Sequence, residues 1–325
     1  MKNNDRRKII AGDGMNIRVL GSGSALPKPN HYPSSHVLQI RDKSYMIDCG
    51  EGTQMQMMRY GVPFKNLHRI FISHLHGDHC LGLPGLLSTL SLIGLDYPVH
   101  IYGPQGIKKY IDGIVELFCK DDEERIISHE IDTDEYHQIY EDNTLTVHAF
   151  PLKHRVKTYG YRFDERPRML HLNREMADFY GVPMAYFGLI KRGHDYTCED
   201  GTVIPNTKLT TPPRRPYSYA YCSDTAYSEN VIPCVKEVDL LYHEATFMND
   251  MEARAKMTMH STTSDAARIA SAANVSHLMI GHYSGRYTNK KSNDQLIHEC
   301  QSLFNNTIAA EDGLLVSLEQ LREQK

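Results

Sequence analysis

His74-Leu75-His76-Gly77-Asp78-His79 is the stretch that decides how the rest of this 325-residue chain is read. His74, His76, Asp78 and His79 put four candidate metal ligands within six residues. Neutral imidazole offers a nitrogen lone pair and Asp78 a carboxylate oxygen, and a zinc site takes three or four such ligands at about 2.0–2.3 Å. The run follows Arg69–Ser73 (RIFIS), a short apolar stretch that predicts a buried strand. A tight turn at that strand's C-terminal end can aim several side chains inward. Gly77 is expected to let the backbone bend and come close to the metal.

One loop cannot complete two metal sites, so further ligands are expected at strand ends elsewhere. His154, Asp224 and His282 each lie just past an apolar run, after Leu152, Cys222 and Ile280 respectively. With the histidine run they form a candidate binuclear set. Two ions roughly 3.5–4 Å apart can activate water and clamp phosphate oxygens. Eighteen histidines in the chain make such a search worthwhile.

Composition narrows the class. Hydrophobic residues are 41% of the chain, enough for a sizeable core. No apolar stretch approaches the roughly 20 residues of a membrane helix, so no membrane association is expected. Met1–Gly14 is basic at its start but lacks an apolar core and a cleavage site. It is read as an N-terminal tail (1–14) and excluded from the fold argument. The seven cysteines are scattered and odd in number, which predicts free thiols and a reducing cytoplasm. A net charge of −4 means that any nucleic-acid role rests on local basic patches.

Outward from the histidine run, strands are expected at Met15–Leu20, His36–Ile40, Ser44–Cys49, Val99–Tyr102, Leu145–Leu152, Tyr159–Phe163, Tyr217–Cys222, Leu240–His243, His277–Ile280 and Gly313–Leu318. Helices are expected at Thr53–Tyr60, Leu81–Ile93, Gly106–Cys119, Thr262–Ala273 and Ser292–Phe304. Strands mixed with helices in both halves predict an α/β (α+β) fold of four layers, helices outside two packed sheets. Between Asp164 and Pro216 the pattern degrades, with one helix expected near Asn173–Tyr180. So long a structureless loop is improbable inside a compact domain, so 164–216 is read as an insertion with its own task. The remainder of 15–325 is read as one catalytic domain.

The histidine run, with His154, Asp224 and His282, resembles the metallo-β-lactamase superfamily. Within it the chain is similar to the ribonuclease Z family of tRNA 3′-processing endonucleases. The segments carrying the likeness are IDCGEGTQ (47–54), FISHLHGDHCLGLPGLL (71–87), YGPQGIKKYI (102–111), YHEATF (242–247) and HSTTSDAA (260–267). The likeness runs from about Met15 to Leu318.

The resemblance implies a four-layer αββα sandwich with an inserted flexible arm that binds tRNA. It implies that His74, His76 and His154 hold one Zn2+, that Asp78, His79 and His282 hold the second, and that Asp224 bridges them. Mn2+ or Fe2+ also suit such donors. Asp78 would also orient or deprotonate the attacking water, and Glu244 with His260 would act near the leaving oxygen. The implied reaction removes the 3′ trailer of precursor tRNA, leaving a 3′-hydroxyl on the tRNA and a 5′-phosphate on the trailer. A homodimer is implied as well.

Substrate contacts are expected from Arg286 near the metals and from the arm, where Lys191 and Arg192 stand out among its basic residues. The sequence departs from the family at GVPMAYFGLIKRG (181–193), where bacterial arms usually carry a Gly-Pro element. It departs again at PKPNHYPSS (27–35), where a Lys-x-Arg-Asn element is usual. Ser223-Asp224-Thr225 replaces Gly-Asp-Thr and leaves the ligand intact. The alternative is a superfamily hydrolase, such as a phosphodiesterase, acting on small molecules. The long basic insertion weighs against it.

Overall fold

Short apolar runs bounded by turn residues become strands. In chain order these are β1 (Met15–Gly21), β2 (Ser35–Ile40), β3 (Lys43–Ile47), β4 (Leu67–Phe71), β5 (Val99–Pro104), β6 (Ile126–Ile131), β7 (His137–Glu141), β8 (Leu145–Leu152) and β9 (Thr158–Glu165). There follow β10 (His171–Leu172), β11 (Tyr196–Thr197), β12 (Val203–Ile204), β13 (Thr210–Thr211), β14 (Ser218–Cys222), β15 (Leu240–Glu244), β16 (His277–Gly281), β17 (Thr307–Ala309) and β18 (Leu315–Ser317). This computed structural model describes residues 14–26, 28, 31–287 and 290–323. The expected tail at 1–14 lies, Gly14 apart, outside the described residues.

Two seven-stranded sheets result, ordered β18-β1-β2-β3-β4-β5-β6 and β17-β16-β15-β14-β9-β8-β7. In the second, β14, β15, β16 and β17 run parallel. Strands β14 to β16 are buried along their whole length, which is why SYAYC, LLYHE and HLMIG do not show the strict alternation of half-buried strands.

The inner faces of the sheets meet through aromatic side chains. The Phe71 ring on β4 lies 5.5 Å from Tyr161 and 5.4 Å from Phe163 on β9. The Tyr161 hydroxyl donates to the Ile72 carbonyl at 2.6 Å, so this buried phenol keeps a partner. The outer face of the first sheet packs Met46 and Ile70 against Leu83, Leu86 and Leu90 of the helix Leu83–Leu92, and against Ile107 and Ile111 of Ile107–Phe118. The other outer face packs Leu241 and Ile280 against Ala266, Ile269 and Ala270 of the helix Thr263–Ala272. Thr262 starts that helix with a reciprocal cap to Asp265. Helix, sheet, sheet, helix is the four-layer arrangement expected from the sequence.

Residues 143–145 and 164–216 form a second compact unit. It has a small core of its own, made of Ala177, Val182, Ile190, Tyr196, Ile204 and Leu209. Strands β10 and β13 pair antiparallel, as do β11 and β12. The expected helix spans Arg174–Phe179, and its Asn173 cap accepts from the Met176 N–H at 3.2 Å. Within the unit, Glu165 forms ion pairs with Arg168 (3.0 Å) and Arg214 (2.6 Å), joining the two ends of the segment.

Sequence reading missed β6 and β7. Half of IISHEI and most of HQIYE are polar, both are largely half-buried or exposed, and they sit at the edges of the two sheets. An edge strand needs little apolar surface and so leaves a weak signal in the sequence.

Candidate metal centre

The candidate ligands gather because parallel strands end together. In register, Cys222 of β14 stands beside His243 of β15, and Glu244 beside Gly281 of β16. Asp224 and His282 therefore emerge next to Glu244. From the first sheet, the chain leaves β4 and enters the turn that carries His74 to His79. This turn can sit close only because Gly82 lacks a side chain: a Cβ there would lie 2.1 Å from the Gly50 carbonyl oxygen. Gly77 plays a lesser part than expected. It opens the short helix Gly77–Cys80 without a left-handed φ, and its nearest obstacle is the Leu81 side chain.

The side chains divide into two groups around Asp224. His74 Nε2 lies 3.0 Å from His76 Nδ1, and His154 Nε2 lies 3.4 Å from the same atom. Asp224 Oδ2 faces this trio, 3.6 Å from His74 Nε2 and 3.9 Å from His154 Nε2. Asp224 Oδ1 faces the other way, 3.4 Å from His79 Nε2 and 3.2 Å from His282 Nε2. Asp78 Oδ2 closes the second group at 3.5 Å from His79 Nε2 and 3.3 Å from His282 Nε2.

These spacings fit divalent ions. Four ligands placed tetrahedrally at about 2.0–2.1 Å from one ion stand about 3.3–3.4 Å from each other. His79 Nε2 and Asp224 Oδ1 are also buried without a hydrogen-bond partner. Orphaned polar atoms are costly in a folded protein, and an ion between them would remove the cost.

Four of the five histidines are held by their far nitrogen. His74 Nδ1 contacts Ser73 Oγ at 3.0 Å, His79 Nδ1 contacts Asp48 Oδ2 at 2.7 Å, His154 Nδ1 contacts the Met259 carbonyl at 2.9 Å, and His282 Nδ1 contacts Thr246 Oγ1 at 2.9 Å. Outer partners of this kind fix ring orientation and tautomer in metal sites. Asp48 is the busiest of them. It also accepts from the Ser73 N–H (2.7 Å), the Ser73 hydroxyl (2.9 Å) and the Tyr221 hydroxyl (2.9 Å). Sequence reading singled out neither Asp48 nor Thr246. Asp48 directly follows apolar β3, so the strand-end rule that selected Asp224 also selects Asp48.

Burial drives the His74 pKa well below its ordinary value. Burial pushes the same way on His79, but the surrounding carboxylates Asp224, Asp78 and Asp48 outweigh it and raise its pKa well above the ordinary range. Burial would raise the Asp224 pKa, yet His282 and His79 hold it well below the usual carboxylate range. Beside this set, His260 Nδ1 lies 2.8 Å from Glu244 Oε1 and 3.9 Å from Asp224 Oδ2. Burial alone would lower the His260 pKa, but the Glu244 carboxylate overrides it and pushes it up to about 9.

A protein named ribonuclease Z from Porphyromonas gingivalis is 49% identical over 302 residues, covering 93% of this chain and 98% of its own length. The chain belongs to the ribonuclease Z family. A relative with the same name from Parabacteroides distasonis is 48% identical over the same shares. Among solved structures, the short form of human tRNase Z superposes with a TM-score of 0.66 at 25% identity, covering 93% of this chain and 99% of that one. The metallo-β-lactamase fold protein YhfI from Bacillus subtilis superposes at 0.67 with 20% identity, covering 94% and 100%, a likeness of fold. A family model described as Anti-Pycsar protein Apyc1 matches residues 15–166.

Of the expected substrate contacts, Arg286 is exposed on the loop that follows His282. Lys191 and Arg192, also exposed, belong to the second unit, at the end of its helix Phe187–Lys191.

Proposed function

We propose that this protein is a metal-dependent endoribonuclease that removes the 3′ trailer from precursor tRNA, with two Zn2+ ions per subunit. The observation that carries the reading is the Glu244–His260 pair set beside Asp224, on which the two groups of candidate ligands converge. Ions held by His74, His76, His154 and Asp224, and by Asp78, His79, Asp224 and His282, would act as Lewis acids on water and on the scissile phosphate.

The chain's own residues do the rest. Asp78 orients the attacking water and accepts its proton. His260, fixed by Glu244 through Nδ1, keeps Nε2 to hand a proton to the departing 3′-oxygen. The P–O3′ bond breaks, leaving a 3′-hydroxyl on the tRNA and a 5′-phosphate on the trailer. Arg286 contacts a phosphate near the ions. The second unit, with Lys191 and Arg192, grips the tRNA. The reading includes a homodimer in a reducing cytoplasm, which the seven free thiols support.

The test is to incubate zinc-loaded protein with a precursor tRNA bearing a 3′ trailer and, separately, with bis(p-nitrophenyl) phosphate. The expected result is one cut at the trailer junction and a 5′-phosphate on the released fragment. Hydrolysis of the small ester alone would sink the tRNA reading and favour a small-molecule phosphodiesterase. Sedimentation of the purified protein checks the dimer.

A further inference from the structure

Thr246 sits two residues past the end of β15, and it is almost completely buried. Its backbone N–H and its hydroxyl both reach Glu244 Oε2, at 3.0 Å and 2.6 Å. The same hydroxyl oxygen lies 2.9 Å from His282 Nδ1. A hydroxyl has one proton to give, and a carboxylate can only accept. The proton therefore goes to Glu244, at the shorter distance, and the hydroxyl faces His282 as an acceptor. His282 Nδ1 must then carry hydrogen. The lone pair is left on Nε2, the atom that lies 3.2 Å from Asp224 Oδ1 and 3.3 Å from Asp78 Oδ2.

We propose that Thr246 is a positioning residue that fixes His282 in the Nδ1–H tautomer and so makes Glu244 serve two ring systems at once. The inference rests on the metal-centre reading and deepens it. One carboxylate oxygen of Glu244 takes His260 Nδ1 and the Thr225 N–H; the other takes Thr246 and, through it, His282. His260 and His282 stack at 5.4 Å and 26°, so both rings are set by one buried group.

His282 needs this hold. It is a non-glycine residue with φ of 60°, a costly conformation that persists only where the surroundings impose it. Its N–H donates to the Ser22 carbonyl at 2.8 Å, which holds the backbone, while the Thr246 hydroxyl at 2.9 Å from Nδ1 holds the ring. The first sheet contains the same device: the Ser73 hydroxyl donates to Asp48 Oδ2 at 2.9 Å while standing 3.0 Å from His74 Nδ1. Thr246 with Glu244 repeats it from the other half of the sandwich.

The experiment compares wild type, Thr246→Val and Thr246→Ser by titrating zinc into the ion-free full chain against a competing chelator. Thr246→Val is expected to bind one of its two zinc equivalents on the order of 10–100-fold more weakly, the usual cost of losing an outer partner. Thr246→Ser, which restores the hydroxyl, is expected to keep wild-type affinity. Equal affinity in Thr246→Val, or an equal loss in Thr246→Ser, would overturn the proposal and leave the metal centre standing. Wild-type protein that takes up no zinc would overturn the metal-centre reading itself and the proposal with it. A measurement on wild type alone guards against a variant that does not fold. Long-range proton–nitrogen NMR of 15N-histidine-labelled, zinc-loaded protein is expected to show hydrogen on His282 Nδ1, and hydrogen on Nε2 would overturn the assignment.

Discussion

Asp48→Asn keeps the shape of a buried carboxylate and replaces one acceptor oxygen with an NH2 group. If the substituted amide keeps its carbonyl on the Ser73 N–H, the new donor lies where Oδ2 accepts from His79, Tyr221 and Ser73. The Ser73 hydroxyl has an alternative in Ser223 Oγ at 2.9 Å. His79 Nδ1–H and the Tyr221 hydroxyl lack an acceptor as close, so two hydrogen bonds to a charged group are lost. At about 1.5–3 kcal/mol each, the loss is about 3–6 kcal/mol, a large part of the roughly 5–15 kcal/mol that holds a domain folded. To bind an ion His79 must be neutral with its hydrogen on Nδ1; facing an amide NH2 the neutral ring would instead favour hydrogen on Nε2, which occupies the atom facing Asp224 and Asp78. Zinc affinity should therefore fall on the order of 10–100-fold as well. Urea unfolding of the ion-free protein, followed by circular dichroism, measures the first effect, and chelator competition measures the second. Stability within about 1 kcal/mol of wild type, with unchanged zinc affinity, would refute the role given to Asp48.

Other outcomes follow from the same geometry. Asp224→Ala removes the carboxylate whose oxygens face both groups, so both zinc equivalents and activity should be lost; full occupancy by metal analysis would contradict the shared position. Removing 169–211 keeps Glu165, Arg168 and Arg214 and should raise KM for precursor tRNA while sparing bis(p-nitrophenyl) phosphate; equal losses on both would mean the unit supports the catalytic fold. His36 is wholly buried, and burial lowers its pKa from 6.5 to about 3. Its folded pKa is depressed, so below pH 6.5 the unfolded chain binds the extra proton and stability falls on acidification. By pH 5 the loss is about 2 kcal/mol. A His36→Gln variant should lack that increment in urea unfolding compared at pH 7 and pH 5.

Much of the fold was legible because burial left plain marks. The wholly buried strands β14 to β16 read as apolar runs, and each is followed within two residues by a group with metal-binding chemistry or, in β15, ends on one. The histidine run was legible for a different reason: four ligand-type residues in six positions have few other uses. The outer partners were hidden. Thr246 is an ordinary threonine in sequence, and its importance arises from Glu244 and His282, which lie 2 and 36 positions away. The second unit was read as an insertion at 164–216 with one helix, but its internal fold was hidden because its core is six residues spread singly along the segment from Ala177 to Leu209. No periodic pattern can emerge from so few positions.

The division of ligands between the sheets has a consequence for assembly. His74 and His76 come from the first sheet's turn, whereas His154 and Asp224 follow strands of the second; Asp78 and His79 are likewise matched with His282. Each group thus draws on both halves of the sandwich. A nascent chain with one sheet formed would offer an ion at most a partial set of ligands. Tight retention of an ion by either group would therefore require both sheets to be formed and docked, which ties metal binding to completion of the sandwich.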